Sequence, residues 1–386
     1  MESKIEIFDR IRCYVDGEIP AAMEYLVGCE SMAAMMRFIY PEMADEQWRR
    51  MMLGCRSVDE FFDICFIPAA RRIAEISTTG VTCDGLDRLS KEQGYLYLSN
   101  HRDISVDAGM LQLVMREHGF PAFEMAFGEN LIFNEFFVHL IKSNKLFSVP
   151  RMTDLGKYAR YAPVIAEYVR GHVAQDISVW IAQRNGRTKD GSDITEPALL
   201  KLFVLGCGGS QQQALSVMNI VPVAVSYEYE PCDMQKVREL FVKKRDGGYK
   251  KHPNEDFESV FTGLMQPKGR MHYTFCQPVT EEDVASVCRD GRVMFPELAR
   301  LVDKRIFKGY HCFPSNYVAY DMLNGTDMSK NVCDTEYRTR FEQYLAEKID
   351  ALVGEFGEEH RSELYRMFLE LYANPVINQV GVEGNF

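Results

Sequence analysis

The sequence predicts an α/β protein, a mixed and largely parallel sheet flanked by helices, with helical N- and C-terminal extensions. Three observations predict it. Short apolar runs, rich in β-branched and aromatic residues, recur at 81–83, 95–98, 123–127, 145–149, 177–182, 220–229 and 271–276. Amphipathic stretches at 153–170, 197–205 and 234–244 lie between them, and this alternation is what parallel strands joined by crossover helices require. Residues 1–80 and 314–386 carry helical periodicity without strand texture. The chain therefore divides into a helical N-terminal region (1–80), an α/β domain (81–313) and a helical C-terminal region (314–386) packed on the core.

In the N-terminal region Pro41 and Gly54 separate several helices, and residues 32–40 (MAAMMRFIY) form its most apolar stretch. Methionine and phenylalanine at helical spacing favour core packing there over contact with lipid. In the C-terminal region the periodic stretches are 337–353 and 361–372, broken by Gly354 and Gly357, with a frayed tail expected over 381–386.

Composition excludes several classes of function. An apolar content of 46% over 386 residues suits a sizeable core, and a net charge of −12 argues against general nucleic-acid binding. The 11 cysteines include no C-x-x-C pair, and the opening Met1-Glu2-Ser3-Lys4 is charged, so reduced thiols and a cytoplasmic location are expected. No metal-ligand cluster stands out, so no metal is expected. No apolar run approaches the roughly 18 residues of a membrane span. The net charge gives no broad attraction to anionic lipid, so peripheral contact with the inner face of a membrane would come through amphipathic segments, for which the first eighty residues supply candidates.

The stretch from Ser99 to Asp107 (SNHRDISVD) is where the domain's chemistry concentrates. A short core strand bounded by Gly94 leads into it, and a helix follows with Val106, Met110, Leu113 and Val114 on one face, stopped by Gly119 and Pro121. His101 thus falls just past the C-terminal end of a strand, where open α/β sheets present groups to ligands. With one ring nitrogen held by Asp107 or Asp103, the other can take a proton from a hydroxyl. The plainer reading is that Asp103 or Ser105 caps the helix and His101 fills a polar loop.

Three further stretches sit at strand ends. Residues 126–131 contain Gly128 and Asn130 and lead to Lys142, Lys145 and Arg151, a set of cations suited to an anionic head group. Residues 179–191 run from a strand into a loop with Gln183, Arg184, Arg187 and Lys189, and arginine's planar fork grips phosphate or carboxylate. Residues 220–227 (IVPVAVSY) are strand-like, with Pro222 expected at a strand start or kink. The glycine cluster 206–210 lacks the lysine of a phosphate-binding P-loop and reads as a flexible turn. The dense basic tract of Lys236, Arg238, Lys243, Lys244, Arg245, Lys250 and Lys251 reads as a solvated helix face, or as a dock for an acidic carrier protein or lipid head groups.

Taken in this order, the four stretches over about residues 80–280 resemble the glycerolipid acyltransferase family, which includes bacterial lysophosphatidic acid and glycerol-3-phosphate acyltransferases. Asn100-His101 with Asp107 resembles the family's Asn-His turn and following Asp. Gly128-Glu129-Asn130-Leu131 with Phe147 and Arg151 resembles its Gly-x-Asn-Leu block, Gln183 to Gly191 its Glu-Gly-x-Arg-Ser block, and Val221-Pro222-Val223 its Val-Pro-Val strand. The resemblance implies an O-acyltransferase that uses no cofactor. It implies a His101–Asp107 dyad moving a fatty acyl group from acyl-CoA or acyl carrier protein to a hydroxyl of a glycerol phosphate or lysophospholipid. Asn100, Gly128, Asn130, Arg151, Gln183 and Arg187 would then contact substrate. Two departures stand out. Five residues rather than four separate His101 from Asp107, so a bulge or altered helix start is expected and Asp103 stays a candidate. Gln183 replaces the family's glutamate, which keeps open an amino-acid-based lipid as acceptor. From a different class, a non-catalytic lipid-binding protein also fits.

Overall fold

The computed structural model describes residues 2–150 and 155–383. Its seven-stranded sheet is built from β1 (Gly80–Asp84), β2 (Leu96–Ser99), β3 (Glu124–Gly128), β4 (Leu146–Val149), β5 (Val179–Ala182), β6 (Ile220–Tyr227) and β7 (Arg270–Phe275), in the order β1-β7-β6-β2-β5-β3-β4. Every neighbouring pair is parallel except β6 with β7. The α/β class is therefore as the sequence predicts, with strand ends shifted by a residue or two.

The central strands read as unbroken apolar runs because both sheet faces are covered. Side chains alternate between two cores. Leu96, Leu98, Val179, Ile181, Ile220 and Ala224 pack with the helices over Leu155–Val173 and Phe295–Gly309. Tyr97, Trp180, Val221, Val223, Val225 and Tyr227 pack on the other face with the helices over Phe66–Ser77 and Val106–Glu117. Pro222 lies inside a central strand rather than at its start. It is tolerated because antiparallel pairing with β7 ends at Val223–Phe275, and its carbonyl accepts the Cys276 N–H just beyond (2.9 Å).

The N-terminal helices from Ile19–Val27 to Val58–Ile64 have a core of their own in which Met32, Met36 and Trp48 are fully buried, whereas Ile7 and Ile11 of the helix over Lys4–Ile11 join a core of the sheet. The C-terminal helices over Pro314–Asn324, Thr335–Phe356 and Arg361–Glu383 enclose the helix over Asp233–Asp246. The last of these is longer than the periodicity suggests, since it continues through Pro375. Strand-to-helix texture gave no warning of the helices over Glu255–Met265 and Phe295–Gly309 or of the hairpin β8 (Cys288–Arg289) and β9 (Arg292–Val293). Among the described residues no helix is long and apolar enough to cross a membrane.

Candidate active site

Between β2 and the helix over Val106–Glu117 the chain makes a tight turn organised by one carboxylate. Asp107 is fully buried in the first turn of that helix. Its Oδ2 accepts the backbone N–H groups of Arg102 (2.7 Å) and Asp103 (2.9 Å) and faces His101 Nδ1 at 2.9 Å. Its Oδ1 accepts the Tyr227 hydroxyl at 2.6 Å. Burial first and the Asp107 charge second push the Tyr227 pKa well up, so that hydroxyl remains a donor. An oxygen that only accepts requires a proton on Nδ1, which leaves the Nε2 lone pair of the neutral ring available. Nε2 has no partner among the described residues, and the ring lies edge-on to Trp180 at 6.1 Å.

The two aspartates divide the work. Asp103 Oδ1 accepts the N–H groups of Ser105 and Val106 (2.9 Å each) and caps the helix, whereas Asp107 faces the imidazole. The five residues between His101 and Asp107 lie in this capped turn, and β2 keeps a regular register with both neighbours through Ser99. A Cβ at Gly263 would come within 2.0 Å of Asp103 Oδ2, so only glycine lets the helix over Glu255–Met265 close onto the turn.

Beneath the turn lies a buried ionic network that the sequence does not reveal. Arg102, 0% exposed, gives Nε to both oxygens of Asp193 (3.1 and 2.9 Å), Nη2 to Asp193 Oδ2 (2.5 Å) and Nη1 to Glu230 (3.0 Å). Lys236 donates to the Arg102 carbonyl (2.6 Å) and pairs with Glu230. Burial disfavours the guanidinium charge, but Asp193 and Glu230 outweigh it and hold its pKa above the ordinary value. Lys236 is thus interior and not part of a solvated helix face, because its ammonium closes this network.

Asn100 and Gln183, expected at the substrate, are instead fully buried parts of the frame. Asn100 bonds Val225 through both N–H (2.7 Å) and C=O (2.9 Å) and also reaches Asp193 (3.2 Å). Gln183 bonds the Asp193 carbonyl (2.6 Å) and the Thr195 hydroxyl (3.2 Å). Both amide ends of each side chain are engaged internally. Lys142 and Lys145 are likewise drawn to the N-terminal helices, at the Asp9 carbonyl (2.8 Å) and the Asp59 carboxylate (2.9 Å). Arg151 lies outside the described residues.

Arg187 differs from all of these. It is 6% exposed and its Nη1 has no hydrogen-bond partner. The adjoining Thr188 N–H donates to the His101 carbonyl (2.8 Å), which ties this loop to the turn. Burial and the Arg187 charge push the Lys189 ammonium down to about 8, opposed by Glu239 at 2.6 Å and reinforced by Lys251. Lys251 pairs with Asp256 (2.7 Å), which also accepts from Asn130 Nδ2 (2.9 Å). A Cβ at Gly128 would stand 2.7 Å from Asn130 Oδ1, so that glycine makes room for the amide. The Thr188 bond therefore ties the loop that carries Arg187 and Lys189 to the turn that carries His101 and Asp107, while Asn130, beside Gly128, is tied to Asp256 and through it to Lys251.

The C-terminal helix reaches the same loops. Asn374 and Asn378 donate to the carbonyls of Asp190 (2.6 Å) and Ser192 (2.9 Å), and a Cβ at Gly191 (φ 81°) would meet the Leu371 carbonyl at 2.4 Å.

No protein-family model matches the chain, and no curated protein matches it. Among solved structures, the chain is similar to the 1-acyl-sn-glycerophosphate (LPA) acyltransferase PlsC from Thermotoga maritima, with a TM-score of 0.37 and 11% identity, covering 75% of this chain and 91% of that one.

Replacing Arg102 by Met would strand the buried Asp193 without its counter-charge and leave Glu230 with Lys236 alone. The expected cost is about 3–5 kcal/mol of stability in urea unfolding, and a loss under about 1 kcal/mol would mean that the network does not hold the turn.

Proposed function

We propose that the protein is an acyltransferase that moves an acyl group from a thioester, acyl-CoA or acyl carrier protein, to a hydroxyl of a glycerol phosphate or lysophospholipid. The observation that carries this reading is the His101 ring held at Nδ1 by Asp107, with a buried guanidinium that has an unpaired N–H in the loop that Thr188 ties to the same turn.

The chemistry follows from the geometry. An acceptor hydroxyl attacks the thioester carbonyl carbon, forming a C–O bond while Nε2 of His101 takes the hydroxyl proton. Asp107 stabilises the resulting imidazolium without taking the proton itself. The tetrahedral oxyanion collapses, the C–S bond breaks, and the imidazolium returns its proton to the thiolate. No covalent enzyme intermediate is required. Arg187 and Lys189 hold the acceptor's phosphate, which orients the hydroxyl and makes attack effectively intramolecular. A phosphate anion would also complete the hydrogen bonding that the buried Arg187 Nη1 lacks.

Turnover of a labelled acyl thioester with added acceptor tests the dyad. His101→Ala and Asp107→Asn are each expected to lower kcat by about three orders of magnitude. Asp103→Asn is expected to change it only a few-fold, because asparagine caps a helix as well as aspartate. Equal losses at the two aspartates would contradict the division of roles.

Lys189 supplies a pH test. Its depressed pKa of about 8 means that the ammonium is charged below that pH and lost above it, while a phosphate monoester stays dianionic over the whole window because its second pKa is about 6. The acceptor KM is expected to rise several-fold between pH 7 and 9. Lys189→Arg should flatten that rise, and an unaltered profile would remove Lys189 from the acceptor site.

A further inference from the structure

Acyl transfer needs an anion-stabilising donor as well as a base. As the acceptor oxygen adds to the thioester, the carbonyl oxygen becomes an oxyanion, and a fixed donor aimed at it supplies much of the rate. At a strand-to-helix turn the ready donors are backbone N–H groups. Here four of them are already spent: Asp107 accepts those of Arg102 and Asp103, and Asp103 accepts those of Ser105 and Val106. That points beyond the turn for the donor.

The neighbouring strand supplies a candidate. Strands β2 and β5 are parallel with Ser99 opposite Ala182, and the pairing runs one step further, where the Gln183 N–H donates to the Ser99 carbonyl (2.8 Å). Asn100, Arg102 and Gln183 all bond Asp193, through its carboxylate or its carbonyl, on one side of this edge. Side chains alternate along an extended chain, so His101 and Arg184 project to the other side, that of Trp180, whose ring lies edge-on to the imidazole at 6.1 Å. Arg184 thus stands across from His101, one strand spacing or about 5 Å away at the backbone. Thr188 joins the two residues: its N–H donates to the His101 carbonyl (2.8 Å), and its hydroxyl accepts Arg184 Nη1 (3.1 Å). Arg184 Nε is buried and has no hydrogen-bond partner among the described residues. Buried donors are normally satisfied, so this one is open to a ligand oxygen. The loop's other arginine has different neighbours. Burial and the Asp103 charge push the Cys232 thiol up to about 11, and Arg187 beside it opposes them.

Resting on the reaction proposed above, we infer that Arg184 is a further catalytic residue, whose Nε–H donates to the thioester carbonyl oxygen and holds the oxyanion formed when the acceptor adds. As the C–O bond forms, the C=O electron pair moves onto that oxygen. When the C–S bond breaks, the pair returns and the thiolate leaves with the proton from His101. The guanidinium keeps its own proton throughout, since arginine stays charged at any working pH. Arg187 and Lys189 are then left for the acceptor phosphate, and each guanidinium of the loop has one anion to hold.

Steady-state turnover of the full chain, with labelled acyl-CoA and varied glycerol 3-phosphate or lysophosphatidic acid, tests this assignment. Arg184→Ala is expected to lower kcat by about 100- to 1000-fold while the acceptor KM stays within about threefold. Arg184→Lys keeps the charge and most of the packing but lacks the Nε–H, so it should remain at least about tenfold below wild type and guards against simple unfolding. Added methylguanidinium should restore about tenfold to Arg184→Ala and nothing to His101→Ala. A kcat within threefold of wild type in Arg184→Ala, or a loss confined to the acceptor KM, which would make Arg184 a second phosphate contact, would overturn the proposal. So would a loss of kcat that methylguanidinium leaves untouched, as a merely structural role gives. Wild-type transfer that His101→Ala abolishes keeps the reaction itself in place whatever Arg184 does, whereas its absence would overturn both.

Discussion

The site depends on a single buried carboxylate that satisfies four donors at once. Asp107 gathers two backbone N–H groups of the turn, the imidazole of that turn and the hydroxyl of a tyrosine on β6. Leaving so polar a group unpaired in an apolar surrounding would cost several kcal/mol, so the four contacts act as one arrangement. Tyr273 of β7 adds a bond to the Asp107 carbonyl at 2.8 Å, which fixes the backbone as well as the side chain. The neighbouring strands thereby determine where the histidine points. A change at β6 or β7 would reach the imidazole through the carboxylate without touching it.

A second level of order lies below the turn, where charges of both signs alternate in the interior. Arg102 and Lys236 face Asp193 and Glu230, and each of these four belongs to a different segment of the α/β region. Buried ion pairs are poor sources of net stability, but an unpaired member is severely penalised, so they specify which loops come together. The C-terminal helix extends that specification. Tyr372 accepts the Glu230 N–H (3.0 Å) and donates to Asp233 (3.2 Å), and Asn374 and Asn378 hold the loop after β5. The chain's last helix is part of the frame that carries Arg187.

The sheet was legible from sequence because its strands are short, apolar and separated by polar turns, and a doubly covered sheet imposes that texture. The helix over Glu255–Met265 was not, because its outward edge is aromatic and its inward edge is Ser259 and Gly263, the reverse of the usual pattern. At the site, His101 and its two aspartates were visible as residue types at a strand end. Their division of labour was not, since both lie within hydrogen-bonding range in sequence and only the turn's backbone separates a cap from a partner. Asn100 and Gln183 look like ligand-binding amides in a linear reading. The structure spends both on distant segments, Val225 and Asp193, and such long-range partners leave no local signature. Arg102 offered a weak hint, an arginine inside an otherwise catalytic-looking turn, but its partners at 193 and 230 lie far along the chain.

The central claim is that Asp107 fixes the His101 proton on Nδ1 and leaves Nε2 as the base. Nitrogen NMR of the ¹⁵N-histidine-labelled protein at pH 8, with His101 assigned by substitution, reads that tautomer directly. The account predicts a neutral ring protonated at Nδ1, with its Nε2 resonance in the range of an unprotonated nitrogen. A ring protonated at Nε2 would contradict it, because no lone pair would then be available to receive a proton from an acceptor hydroxyl.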